Sequence, residues 1–199
     1  MAHPVVKARG RSGAHIDALA LSVVRKYQPS MLNCLHAFDV ERFFELELPA
    51  FTGIKTDYQK LGWGVHAYTD ITEMKCVVSL DLMNNQEQHA FLRSTLAHEI
   101  GHCHMHVPEF LRRKAAAKFI HDGANTLRLY HQEALKVFEN PEWQAWRYAG
   151  ALMMPAQSVM IAVTHGLTVK EMSKVFEVYQ PFVSTRLRAL GLAGKVRMF

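Results

Sequence analysis

Thr95-Leu96-Ala97-His98-Glu99-Ile100-Gly101-His102 carries the pattern His-Glu-x-x-His, and its neighbours place that pattern on a helix. An α-helix turns about 100° per residue, so positions four apart return to nearly the same face. The imidazoles of His98 and His102 can therefore converge on one metal ion. Glu99 stands beside that face, where a general base takes a proton from water. Neutral histidines suit zinc, and a catalytic zinc keeps a coordination position open. Such a string also arises by chance on exposed surfaces. Here Phe91, Leu92, Thr95, Leu96 and Ile100 recur at helical spacing, which marks a buried helix. Two histidines and a glutamate in a buried helix are costly unless paired or coordinated.

Two more histidines follow. His102 and His106 also stand four apart, but Cys103 occupies the place of the base. His98 and His106 are separated by about 12 Å along a helix, and zinc–nitrogen bonds are about 2.1 Å, so they cannot share an ion. His98 and His102 are the expected ligands. His106 is expected to form hydrogen bonds near the helix end, and His104 to face elsewhere.

The chain has 199 residues and 49% hydrophobic content, which fits one domain with a small appendage. No apolar run is long enough for a membrane span. Cys34, Cys76 and Cys103 are widely spaced and odd in number, so reduced thiols and a cytoplasmic location are expected. The net charge of +5 concentrates at the ends. Residues 1–28 carry five Lys/Arg against Asp17, and residues 164–199 carry six against Glu171 and Glu177. Basic ends are compatible with nucleic acid but are more often solvated tails and faces.

Around the motif the pattern predicts mostly helices. Residues 1–13 read as a disordered basic arm. Residues 14–27 have a helical apolar stripe ended by Pro29. Asp39 is a plausible N-cap for a helix over 40–46, with Pro49 and Gly53 in a loop beyond it. Trp63 to Tyr68 and Lys75 to Leu80 read as strands joined by a turn at 69–72, forming a small antiparallel sheet. Its free edge could pair with an extended peptide. Asn84 and Glu87 resemble a capping box for the motif helix, which Pro108 should stop. Helices over 110–120 and 127–138 are expected next.

A third ligand is needed downstream. Pro141 suits a first helical position, and Glu142 follows in the first turn. Ala145, Ala149 and Leu152 give that helix a surface able to pack closely on the motif helix. Glu133 and Glu139 are rival carboxylates.

Leu96 to His102 with His106, and Leu152-Met153-Met154-Pro155, resemble the signature helices of the ImmA/IrrE zinc metallopeptidases. The resemblance runs from about Val40 to the C-terminus. It implies an α+β, mainly helical, zincin-like domain over residues 14–163 and a helix-turn-helix-like segment over 164–199. It implies Zn²⁺ held by His98, His102 and Glu142, thirteen positions before Pro155, with Glu99 as base. The family often has a second glutamate and an asparagine where this chain has Gln144 and Trp146. Val178 and Arg186 to Leu192 resemble the family's C-terminal helices, with Tyr179 where a serine is usual. The implied substrate is a protein, a helix-turn-helix repressor of a prophage, mobile element or stress response. Tyr148 and His121 are candidate oxyanion partners, and Arg186 and Arg188 could touch phosphates. Two other readings are a DNA-binding or repressor-binding regulator with structural or sensing zinc, and a toxin–antitoxin component.

Overall fold

The computed structural model describes residues 4–119, 129–131 and 134–197. The fold is α+β and mostly helical, with a small three-stranded sheet.

Strand β1 (Pro4–Val6) pairs antiparallel with β5 (Leu129–His131), and the segment after β1 is held throughout. Ala8 and Arg11 donate their N–H groups to the carbonyls of Glu139 and Phe138. For residues 4–13 the expectation of a disordered arm is therefore corrected: backbone pairing and the Arg11 side chain dock them on the body, while residues 1–3 lie outside the described residues. Ser12 then caps α1 (Gly13–Tyr27) by accepting from the His15 N–H. Ile16, Ala20, Val23 and Val24 form its buried stripe.

Asp39 caps α2 (Val40–Arg42), as its position suggested. The helix does not end near Leu46. It passes through a π-helical turn, Phe43–Glu47, into α3 (Leu48–Thr52), and Gly53 ends it at φ +74°. Pro49 thus lies inside a helix. The wider turn, with Leu48 N–H bonding to Phe43 O, lets the chain accept a residue that cannot donate.

The two expected strands do pair antiparallel, but the sheet has a third strand that was not expected. Strand β2 (Lys55–Gln59), unforeseen in its polar sequence, runs parallel to β4 (Lys75–Ser79). Strand β3 (Ala67–Asp70) lies antiparallel on the other side of β4, so β3 is an edge. It begins at Ala67 rather than Trp63, and the turn falls at 71–74. There the Asp70 carboxylate accepts from the N–H groups of Thr72 and Glu73. Cys76, Val77 and Val78 of the central strand are fully buried.

Helix α4 (Leu80–Met83) and a 3₁₀ turn, capped by Asn85 rather than Asn84, lead to α5 (His89–Gly101). Pro108 does not stop it. A second π-helical turn, His102–His106, carries the chain into α6 (Val107–Phe119). Each π turn sits at the same offset before a proline, and Val107 N–H bonds to His102 O as Leu48 does to Phe43. Of the helix expected over 127–138, the described residues instead form β5 and a 3₁₀ turn at Val137–Glu139, and the rest lies outside the described residues.

Asn140 caps α7 (Pro141–Met153) by accepting from Glu142 and Trp143 N–H. Helix α7 packs between α1 and α5. Gly101 makes the α5 contact possible: a Cβ there would lie 3.2 Å from Ala145 Cα and 3.3 Å from Tyr148 Cβ. Helix α8 (Ala156–Thr164) leads to α9 (Val169–Val175), which starts with a capping box of Thr168 and Glu171. Helix α10 (Gln180–Ala189) packs on α9 and α7. Arg186 is not free for phosphates. Only 3% exposed, it donates to Met154 O and to Asp17 of α1, which also receives Arg147 of α7 through both carboxylate oxygens.

Candidate metal centre

Helical periodicity puts His98 of α5 and His102, which opens the π-helical turn, on the face that meets α7, and the Asn140 cap fixes the first turn of α7 opposite them. His98 Nε2 lies 3.0 Å from His102 Nε2. Glu142 Oε2 is 3.2 Å from His98 Nε2, and its Oε1 is 3.4 Å from His102 Nε2. One ligand atom from each residue lies within 4.8 Å of the others. Tetrahedral zinc with bonds of 2.0–2.1 Å would hold its ligands about 3.3 Å apart, so the spacing fits such an ion. The donor set of two imidazoles and a carboxylate also suits it. The three residues can thus hold a metal ion.

Electrostatics favour that use. Burial alone would raise the Glu142 pKa, but hydrogen bonds and charge from His102 and His98 hold it far below the usual carboxylate range. For His102, burial opposes the proton, yet Glu142 and the charge of Glu99 outweigh it and raise the pKa. The Glu142 carboxylate is therefore held ionised beside both imidazoles.

Glu99 is 7% exposed, and Thr69 Oγ1 on β3 donates to its Oε2 at 2.6 Å. Two clefts, each of about 340 Å³, share His98, Glu99 and Glu142. One continues past Tyr68, Thr69, His102 and Phe110, and the other past Val65, His66, Phe91 and Trp146. The edge strand β3 lines both through Ala67, so the centre lies midway along a groove beside an open sheet edge.

The remaining candidates separate clearly. His106 is 1% exposed and stands behind His102, Nδ1 to Nδ1 at 3.0 Å; its Nε2 is 3.1 Å from Gln144 Oε1. Burial and the neighbouring His102 hold its pKa well down, so it stays neutral. His104 turns away from the metal face, as expected, to reach the Tyr148 hydroxyl at 2.9 Å. Burial, helped by Arg11, pushes its pKa down to about 4. Tyr148 is consequently withdrawn as an oxyanion partner: it is fully buried and lines neither cleft. His121 and the rival ligand Glu133 lie outside the described residues. Glu139 pairs with Lys7 instead of a metal.

The contacts of several residues escaped the sequence reading. Thr69 holds the base, but a threonine in a polar turn-like run gives no sign of this. Trp146 lies against the His98 ring, with centroids 4.3 Å apart, and is wedged by Phe182 of α10. Gln144 is wholly buried and ties His106 to Arg11. Gln144 and Trp146 are the positions where the ImmA/IrrE pattern is not followed, so that departure was the available signal.

No family model and no curated protein matches the chain. Among solved structures, it is similar to a Mycobacterium tuberculosis transcriptional regulator, with 13% identity and a TM-score of 0.55. The match covers 88% of this chain and 47% of that one, so the chain spans about half the length of its neighbour. The likeness is one of fold.

Proposed function

We propose that the chain is a zinc-dependent endopeptidase that cuts a protein substrate. The observation that carries this reading is the meeting of His98, His102 and Glu142, with Glu99 beside them in an open groove. Zinc held there would supply Lewis acidity, polarising a carbonyl and lowering the pKa of water towards about 7. Glu99 takes the proton from the attacking water and returns it to the leaving amine. Thr69 engages one of its carboxylate oxygens, which fixes the base and leaves the other oxygen for the proton. The outer edge of β3 binds the substrate as an added strand through unpaired amides and carbonyls. The resemblance to the ImmA/IrrE peptidases supports a helix-turn-helix repressor as substrate and a cytoplasmic site of action. Among the described residues no helix is long and apolar enough to cross a membrane.

The test is incubation of the zinc-loaded chain with repressors encoded beside its gene. The wild type should cut one of them, while Glu99→Gln should bind zinc equally and cut none. Cleavage that persists in Glu99→Gln would refute the assigned base.

The second reading is a DNA-binding or repressor-binding regulator with zinc in a structural role, favoured only by the description of its structural neighbour as a transcriptional regulator. It requires salt-dependent DNA or repressor binding that Glu99→Gln leaves intact.

A further inference from the structure

Resting on the metal reading above, we infer that Arg11, Gln144 and His106 form a relay that sets the proton of His102 on Nδ1 and presents its bare Nε2 to the metal. The relay follows from which atoms can donate. Gln144 Nε2 faces the carbonyls of Arg9 at 2.9 Å and Phe138 at 2.7 Å, which only accept, so this end is the amide NH₂. Its Oε1 faces Arg11 Nη1 at 2.8 Å, which only donates. The amide orientation is thus fixed from both ends.

His106 Nε2 meets that same Oε1, so it must carry the proton. A neutral imidazole has one ring proton, which leaves His106 Nδ1 as an acceptor. The group 3.0 Å away is His102 Nδ1, which must then be the donor. With its one ring proton on Nδ1, a metal-bound His102 offers a bare Nε2, the atom that faces Glu142 and His98. Orientation of a metal-bound imidazole by a partner on its other nitrogen is a general device. The two ligands differ in this respect. The buried Nδ1 of His98 has no hydrogen-bond partner among the described residues, and its ring is held instead by contact with Trp146.

Arg11 anchors the relay. Its guanidinium also bonds to Met105 O in the π-helical turn, at 3.2 Å, and to Glu109 at 2.8 Å. The segment before α1 is therefore part of the metal centre, and His106 is a positioning residue rather than a ligand.

The experiment measures zinc affinity of the full chain by chelator competition for wild type, His106→Leu and His106→Asn, with ¹⁵N NMR of the histidine rings in the zinc-loaded wild type. His106→Leu should bind zinc about 10- to 100-fold more weakly, the usual effect of losing such a partner. His106→Asn, whose amide oxygen can accept from His102, should recover most of that loss. The spectra should show protons on His102 Nδ1 and His106 Nε2. Unchanged affinity in His106→Leu, or an asparagine variant no better than leucine, overturns the relay. So does a proton on His106 Nδ1 in the wild type, even if a variant fails to fold. A wild type that binds no zinc overturns the metal centre itself, and the relay with it.

Discussion

A carboxylate and two imidazoles 3.0 to 3.4 Å apart compete for the same proton that a metal would displace. Glu142, with its pKa far below the usual value, stays ionised through the neutral range, so the proton on His102 contributes to the pH response. Its pKa is raised, so protonation sets in at a higher pH than for an exposed histidine. Metal affinity should therefore fall steeply as pH drops from about 8 to about 5, because the ligands must be deprotonated to bind. Zinc titrations across that range check this, and a flat response would contradict it. His98, Glu99 and His102 were legible in the sequence because their geometry is set within one helical turn. Thr69, Gln144 and Arg11 were not, since their partners lie on other elements. Tyr148 was misjudged because a polar aromatic near a site reads the same whether its hydroxyl faces the cleft or a buried histidine.

Between elements, the decisive contact is the crossing of α5 and α7 at Gly101. Gly101→Val should destabilise the fold by about 1–3 kcal/mol, the usual cost of overpacking, because the nearest obstacle is backbone. It should also weaken zinc binding by pushing Glu142 away. Denaturant unfolding and a zinc titration read the two effects, and a variant unchanged in both would refute the close approach. Helix α7 was predicted from its proline, first-turn glutamate and small-residue spacing, and the structure places it there with Asn140 as its cap. The prolines misled elsewhere. Pro49 was placed in a loop and Pro108 was taken as a helix end, but π-helical turns two residues ahead of each carry the helix through. The parallel strand β2 was missed because Lys-Thr-Asp-Tyr-Gln lacks both apolar alternation and a neighbouring partner in sequence.

At the scale of the whole molecule, Asp17 joins three helices: α1, which carries it, α7 through Arg147 and α10 through Arg186. Because Arg186 is buried, Asp17→Ala should cost about 3–5 kcal/mol by leaving a charge without its partner. Thermal or denaturant unfolding checks it, and a loss below about 1 kcal/mol, as for an exposed pair, would contradict it. The basic ends of the chain are thus partly used internally, by Arg11 at one end and Arg186 at the other. Composition could show the charge but not its partners, which is why the first segment read as a free arm. Zinc binding requires three side chains, from α5, its π-helical continuation and α7, to grip one ion. Metal analysis of purified wild type beside Glu142→Ala tests it most directly. About one zinc per chain in the wild type, with little or none in the variant, is the expected result for a three-ligand site. Equal zinc in both proteins, or none in the wild type, would contradict it.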